Sequence, residues 1–182
     1  MYKDLRFLIP GFILLAVSGC AEFSKSDSSK SVKDTGMSLG TLGAVEYVHV
    51  YPFEKPFEAR IDTGAKSSSI DAFDIKPFER DGDRWVTFKV KNDLTGTVRS
   101  YELPLVKRVI IKSKETKLFK SDKLREHRYV VKMRIRIGKL DFVRNFTLAN
   151  RTRFDYQVLV GRNIILGNAV VDVSKKHLQP TK

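Results

Sequence analysis

The sequence predicts an all-β protein with one short helix near its C-terminus. Short apolar runs alternate with polar residues along most of the chain, and such alternation is typical of strands with one buried face. Gly, Asn, Asp and Pro separate these runs at short spacing, as in antiparallel hairpins. The chain has 182 residues, enough for one domain with a real core. We therefore expect an antiparallel barrel or sandwich.

The N-terminal residues have the pattern of a secretory signal. Two cations precede an apolar run from Phe7 to Val17. The run is far shorter than the ~20 residues that span a bilayer, and small residues follow it, as at a signal cleavage site. The only cysteine of the chain, Cys20, comes directly after Val-Ser-Gly, which resembles a bacterial lipobox. We therefore predict a lipoprotein signal peptide at residues 1–19 and lipidation of Cys20.

Lipidation of Cys20 would anchor the protein in the bacterial cell envelope. Two or more acyl chains, at ~0.8 kcal/mol per buried methylene, make a stable anchor, whereas one chain alone is marginal. Ala21 rather than aspartate follows the cysteine, which favours the outer membrane, facing the periplasm. The alternative is an uncleaved signal with an incidental cysteine. A lone cysteine also excludes an internal disulfide and a Cys-based zinc cluster.

The remaining chain divides into a tether, a domain and a tail. Residues 20–40 are rich in Ser, Lys, Asp and Gly, which predicts a flexible tether. The globular domain is predicted at residues 41–175 and a tail at 176–182. The strand-like runs of the domain are, in order, AVEYVHVYPF, RWVTFKVKN, TVRSYELPLVKRVIIKS, RYVVKMRIRIG, LDFVRNFTLAN and YQVLVGR.

Turn residues and one apolar segment complete the predicted elements. Asp81-Gly82, Gly96 and Gly138-Lys139 lie between strand-like runs and predict hairpin turns. Only GRNIILGNA, close to the C-terminus, has a helical pattern, and its length predicts about two turns.

The charge of the chain suggests an anionic partner. There are 34 Lys+Arg against 21 Asp+Glu, for a formal net charge of +13. An excess of this size is typical of proteins that meet nucleic acid, a membrane surface or an acidic polymer, although a solvated basic surface also explains it. Export would make nucleic acid an unsuitable partner and would favour anionic lipid, lipopolysaccharide or acidic peptide. The basic run Lys107–Arg128 is interpreted as a solvated edge, with a binding surface as the alternative.

Several kinds of catalytic site find no support in the sequence. The three histidines are far apart and form no His-x-x-x-His pair, so no metal site is predicted. The serines at 67–69 lie in no Gly-x-Ser-x-Gly elbow. Gly40 to Gly43 lacks the lysine and helix of a phosphate-binding loop, and no cofactor is predicted.

The segment Ile61-Asp62-Thr63-Gly64-Ala65 remains as the candidate site. On its own, Asp-Thr-Gly is a weak signal that also fits a strand ending in an ordinary turn. Apolar residues on both sides of it predict a tight, nearly buried turn, and Gly64 would allow a peptide backbone to approach closely. About a hundred residues later comes YQVLVGRNIIL, an apolar strand that runs into Gly-Arg-Asn.

Together these segments resemble a retropepsin-type aspartic protease. The chain is most similar to a bacterial group of small retropepsin-like proteins often labelled putative ATP-dependent zinc proteases. The shared segments are DTGA, DG-x-x-W-V-x-F and NR-x-x-x-x-x-x-LxGR ending in VD, here within residues 44–173. The zinc and ATP parts of that label find no support in these residues. The resemblance implies a retropepsin-like (acid protease) closed barrel.

The resemblance also implies a mechanism and a set of site residues. Two carboxylates would share one proton and activate water, and since the chain has one motif, a homodimer would supply the Asp62–Asp62′ pair. Thr63 would hydrogen-bond across the dimer, Gly64 would offer its backbone to substrate, and Ala65 would complete the turn. Gly161 and Arg162 would support the loop from beneath.

Two further positions and one hairpin are implied as substrate-binding elements. Lys66 and Ser67 match positions that contact the substrate, and Lys66 departs from the acidic residue of well-known retropepsins, which would favour acidic peptides. The hairpin with Asn92–Thr97 at its tip is the candidate flap, with an ordinary surface hairpin as the alternative. The predicted function is therefore a lipid-anchored aspartic endopeptidase. The alternative is a non-catalytic lipoprotein that binds peptides or anionic polymers on the same fold, and a metal-dependent hydrolase is less favoured.

Overall fold

The computed structural model describes residues 39–112 and 125–181. The predicted signal peptide, Cys20 and most of the predicted tether lie outside the described residues, as does the centre of the basic run at 113–124. The described residues belong to one compact unit, Asp34–Lys182. All of its core residues lie between Leu39 and Ile165, so this unit carries a hydrophobic core of its own.

The described residues of this unit form eleven strands and one short helix. No helix in the described part of the chain has the length and apolar character needed to cross a membrane. In chain order the elements are β1 (Gly40–Gly43), β2 (Val45–Val50), β3 (Phe57–Ile61), β4 (Ser68–Asp71), β5 (Phe73–Arg80), β6 (Asp83–Lys91), β7 (Val98–Lys112), β8 (Arg125–Ile137), β9 (Leu140–Ala149), β10 (Val158–Val160), α1 (Arg162–Ile165) and β11 (Ala169–Asp172).

Six strands close into a barrel, which confirms the predicted fold class. Their order is β2-β3-β10-β4-β9-β8, and a pairing between β2 and β8 closes the ring. Strand β8 makes this possible because its last three residues, Ile135–Ile137, pair with β2, while its earlier residues pair with β7. Strands β7, β6 and β5 therefore continue from the barrel as an antiparallel extension.

The interior follows from the alternation along the strands. Val86, Phe88 and Val90 of β6 are fully buried, and the positions between them are not. Val131 of β8 and Phe146 of β9 are fully buried as well. These residues belong to one continuous hydrophobic cluster.

The predicted turns are confirmed, while the helix is shorter than predicted. Asp81 and Gly82 both have positive φ, at 54° and 81°, and join β5 to β6 in a two-residue hairpin. Gly138 and Lys139 join β8 to β9. The helix has 4 residues, about one turn rather than two, because the chain leaves the helical conformation at Leu166.

The C-terminal tail packs against the barrel. Glu46 is fully buried, and its carboxylate accepts hydrogen bonds from the backbone N–H groups of Gly43 (2.6 Å), Leu178 (3.1 Å) and Gln179 (3.0 Å). The imidazole of His177 stacks on Tyr47, with ring centroids 4.3 Å apart. Two of these three backbone donors belong to the tail and tie it to the start of β2.

Candidate active site

The Asp62 loop, residues 62–67, lies where two parallel strands end. Strands β3 and β10 are adjacent and parallel, so Ile61 and Val160 reach the same end of the barrel. The backbone N–H of Asp62 donates to the carbonyl of Val160 at 2.9 Å. The N–H of Arg162 donates to the carbonyl of Ala65 at 2.9 Å. The topology therefore brings the DTGA and GRN segments together.

The Asp62 carboxylate is held by the backbone of its own loop. Its Oδ1 accepts hydrogen bonds from the N–H groups of Gly64 (2.8 Å) and Ala65 (3.1 Å). Asp62 is half-buried, and Thr63 and Gly64 beside it are exposed. The carboxylate is thus fixed in direction by an Asx-type turn while its surroundings remain open to a ligand.

Gly161 is positioned against the inside of the Asp62 loop. A β-carbon at this position would lie 2.7 Å from the carbonyl carbon of Ser67 and 2.9 Å from the carbonyl oxygen of Ala65. Only glycine permits so close an approach of two backbones. The N–H of Gly161 donates to the hydroxyl of Ser68 at 3.0 Å.

Arg162 reaches back over the same loop. Its Nη1 donates to the carbonyl oxygens of Thr63 and Gly64, both at 3.2 Å. The guanidinium therefore holds two loop carbonyls, which fits the supporting position predicted for this residue.

Asn163 is a residue of this site to which the sequence analysis assigned no role. Its Oδ1 accepts hydrogen bonds from both the N–H (2.8 Å) and the hydroxyl (2.9 Å) of Ser68, and its Nδ2 donates to the carbonyl of Asn145 at 2.9 Å. Asn163 thereby links the first residue of β4, directly after the Asp62 loop, to β9. The Gly-Arg-Asn segment was the signal that pointed to it.

Arg151 is a second residue that the sequence analysis left without a role. It is buried, its Nε donates to the carbonyl of Tyr156 at 3.0 Å, and its Nη1 donates to the hydroxyl of Ser69 at 2.9 Å. Burial, together with Arg128, lowers the pKa of the guanidinium, while Asp71 and Asp62 oppose this shift. Arg151 therefore braces β4, the strand that follows the Asp62 loop.

A groove of about 670 Å³, here called the basic groove, lies beside the Asp62 loop. Lys66 and Ser67, the two predicted substrate-binding residues, line it, and their contact with substrate stays a prediction. Its other lining residues are Lys107, Val109, Val130, Val143, Arg144, Asn145, Thr147 and Asn163. The lining thus combines three cations with a valine floor and contains no carboxylate. Lys66, Lys107 and Arg144 make no ion pair with any described residue, so the groove is suited to an anionic group.

The predicted flap is wrong. Asn92, at the start of the proposed tip, donates to the carbonyls of Lys55 (3.3 Å) and Pro56 (3.2 Å), which precede β3. Asp62 follows the other end of β3, and a strand of 5 residues spans about 16 Å. The Asn92–Thr97 turn is therefore tied to the far end of the barrel. Strand β7, through Lys107 and Val109, borders the groove instead.

No group of three or more His, Cys, Asp or Glu side chains in the described ranges is placed to hold a metal ion. The site is built from one oriented carboxylate, the Gly161–Asn163 segment that contacts its loop and the next strand, and the basic groove.

Comparison with known proteins places this geometry in a family. The sequence model of the family described as "RimB-like: Retropepsin-like aspartic endopeptidase RimB" matches residues 41–182. A probable alpha-L-glutamate ligase of Parasynechococcus marenigrum is 32% identical over 123 residues, which are 66% of this chain and 25% of the ligase. A probable alpha-L-glutamate ligase of Shewanella pealeana is 36% identical over 121 residues, 65% of this chain and 25% of that protein. The chain spans about a quarter of the length of these curated relatives.

A solved structure shows the same fold. The crystal structure of a Legionella pneumophila protein of unknown function superposes with a TM-score of 0.63 at 30% sequence identity. The match covers 78% of this chain and 98% of that chain.

Proposed function

Because the chain belongs to the RimB-like family of retropepsin-like aspartic endopeptidases, we propose that it hydrolyses peptide bonds with Asp62 as the catalytic carboxylate. The observation that carries the proposal is the Asp62 loop. Its carboxylate is oriented by two backbone N–H groups, and exposed Thr63 and Gly64 lie beside it. A hydrolase needs such a fixed, accessible acid or base.

The proposed chemistry requires two copies of Asp62. The ionised carboxylate takes a proton from water, the water oxygen attacks the peptide carbonyl carbon, and the protonated carboxylate gives its proton to the carbonyl oxygen. When the tetrahedral intermediate collapses, the C–N bond breaks and the leaving nitrogen receives a proton from one carboxylate of the dyad. The other carboxylate takes a proton from a hydroxyl of the intermediate, so the dyad again holds one proton. Each chain contributes one Asp-Thr-Gly motif, so we propose an isologous homodimer.

Three exposed apolar side chains near α1 support the proposed dimer. Leu166 (70% exposed), Val170 (68%) and Val173 (76%) lie in the segment that follows the helix. Among the strands that the structure describes, β11 of this segment pairs with β1 alone, in a sheet of two strands. A second copy would cover these side chains and extend the short sheet.

An acidic substrate is supported by the basic groove. Lys66, Lys107 and Arg144 line this groove beside the Asp62 loop. We propose that the substrate chain on one side of the scissile bond lies in it. Charge-assisted hydrogen bonds from lysine and arginine to a carboxylate are the strongest contacts that such a groove offers. The similar proteins whose names refer to alpha-L-glutamate ligation are consistent with a glutamyl peptide as the substrate.

We place this activity in the cell envelope. The proposal rests on the lipobox-like Val-Ser-Gly-Cys20 and on the apolar run before it. Radiolabelled palmitate incorporation into the parent but not into Cys20→Ser tests the anchor. If the parent and Cys20→Ser incorporated palmitate equally, or if neither did, the proposed lipidation of Cys20 would be wrong.

The activity test compares the Asp34–Lys182 unit with its Asp62→Asn variant. Asparagine keeps an oxygen that accepts from Gly64 and Ala65, so the loop is retained while the dyad is lost. We expect the parent alone to cleave peptides with clustered glutamates between mildly acidic and neutral pH. Cleavage by both proteins would assign it to a contaminant or to another residue, and cleavage by neither would reject the endopeptidase.

The dimer has its own test. Val170→Asp places a charge among these exposed apolar side chains, and Leu94→Asp places one on an exposed leucine of the Asn92–Thr97 turn. We expect only Val170→Asp to yield monomers by sedimentation and to abolish cleavage. An active monomer of either variant would contradict the dyad.

A second candidate function is peptide or anionic-polymer binding without hydrolysis. The observation that favours it is the groove itself, which offers three cations whatever the state of Asp62. Tight binding of an acidic peptide by both the parent and Asp62→Asn, with cleavage by neither, would support this function instead.

A further inference from the structure

Strand β8 carries a row of cations out of the basic groove. Val130 lines the groove, and Lys132, Arg134 and Arg136 follow it at alternate positions, which face the same side of the sheet. The residues between them, such as Met133 and Ile135, are buried in the barrel. We call Lys132, Arg134 and Arg136 the β8 stripe.

The stripe is continuous with the groove. On the neighbouring strand β9, Asn145 pairs with Lys132 and Val143 pairs with Arg134. Asn145 and Val143 both line the basic groove. Paired strands lie about 4.8 Å apart, so the stripe runs directly beside the β9 wall of the groove.

The charges of the stripe are largely available to a ligand. Lys132 is exposed and Arg136 is half-buried, and neither forms an ion pair with a described residue. The Nε of Arg136 is buried, so Lys132 and Arg134 are the more accessible cations of the stripe. The Nε of Arg134 lies 3.6 Å from Asp141, with side chains 59% and 47% exposed. An ion pair this exposed contributes little, so an incoming carboxylate competes readily for Arg134.

The spacing of the stripe matches an extended acidic peptide. Alternate residues of a strand are about 6.8 Å apart, and alternate side chains of an extended peptide have the same spacing. A peptide that leaves the groove along β8 would therefore place every second side chain over a cation. An anionic membrane surface is a weaker match, because the cations form one narrow row and Asp141 lies beside it.

We propose that the β8 stripe is an exosite that binds acidic residues of the substrate beyond those in the basic groove. This inference rests on the proposed function, because it assumes that the substrate chain enters through that groove. It predicts that affinity depends on the length of the acidic segment and not only on the residues next to the scissile bond.

The test measures binding by the Asp62→Asn unit, so cleavage does not interfere. One probe is a labelled peptide of about ten residues with glutamate at every second position, and the other is its first three residues or so. We compare Lys132→Gln/Arg134→Gln with Lys76→Gln/Arg99→Gln, two exposed cations on β5 and β7. The two double variants lose the same charge.

We expect the stripe variant to bind the long peptide about fivefold more weakly at low salt and to bind the short peptide as before. The Lys76/Arg99 variant should bind both peptides like its parent, and all proteins should unfold at similar temperatures. Unchanged binding of the long peptide, or equal weakening by both double variants, would overturn the exosite. The exosite would also be overturned if the stripe variant bound phosphatidylglycerol vesicles more weakly than its parent but bound the peptides as before. Since no turnover is measured, an inactive parent would reject the proposed peptidase without altering this result.

Discussion

The backbone of Gly161 packs against that of Ser67 so closely that a β-carbon at position 161 would lie 2.7 Å from the Ser67 carbonyl carbon. This contact couples the turn before α1 to the Asp62 loop. A substitution at Gly161 is therefore expected to displace the carboxylate of Asp62, although Gly161 and Asp62 are far apart in sequence.

Gly161→Ala is expected to lower the free energy of unfolding by at least about 2 kcal/mol, because backbone atoms have to move. It should also reduce peptide cleavage, since the displaced loop carries Asp62. Gly96→Ala is the control, because Gly96 has φ +70° and open space around its α-carbon. The Gly96→Ala substitution should lower the free energy of unfolding by about 1 kcal/mol. Chemical denaturation that shows the two variants to be equally stable would contradict the contact.

Arg162→Ala is expected to impair activity more than stability. The side chain is exposed and donates to two carbonyls of the Asp62 loop, so its loss should cost about 1 kcal/mol of unfolding free energy. We expect kcat for an acidic peptide to fall by about tenfold or more as the loop loses its fixed direction. Arg153→Ala, at another exposed arginine, should leave kcat unchanged. If Arg162→Ala and Arg153→Ala had equal values of kcat, Arg162 would not support the Asp62 loop in catalysis.

Removal of the tail after Ser174 is expected to destabilise the barrel. It takes away the Leu178 and Gln179 N–H groups and leaves the fully buried Glu46 carboxylate short of donors. The expected loss is about 3 kcal/mol of unfolding free energy, measured by chemical denaturation. Glu46→Gln should cost less, and Glu54→Gln, at an exposed glutamate, should cost almost nothing. A truncated chain as stable as the full unit would show that the tail is not needed.

His49 is expected to make stability fall at mildly acidic pH. Burial lowers its pKa from 6.5, Arg136 adds to this shift, and a backbone hydrogen bond with Thr181 opposes it. The unfolded chain therefore binds the proton more readily than the folded one. The contribution of neutral His49 is fully present above pH 6.5 and is lost as pH falls through its folded-state pKa.

Unfolding of the parent and of His49→Gln, followed from pH 8 to pH 5, checks this dependence. The parent should lose more stability than the variant over the acidic part of that range. His127→Gln, at an exposed histidine on β8, should follow the parent. Parallel curves for the parent and His49→Gln would contradict the assignment to His49.

The sequence by itself determined the features that depend on near neighbours. Alternation along β6 identified Val86, Phe88 and Val90 as one buried face, and Asp81-Gly82 required the positive φ of a hairpin. The Asp-Thr-Gly segment pointed to the position of Asp62. Such features were predictable because the pleat of a strand and the conformations open to glycine are properties of a few consecutive residues.

Only the tertiary structure decided which distant residues meet. Lys66, Lys107 and Arg144 line one groove because the Asp62 loop, β7 and β9 lie around the same part of the barrel. The flap was misplaced for the same reason, since nothing local to Asn92 shows that it contacts Lys55 and Pro56. Strand order and register follow from closing the barrel around its whole core. That closure is a collective property of burial, and no short segment of sequence contains it.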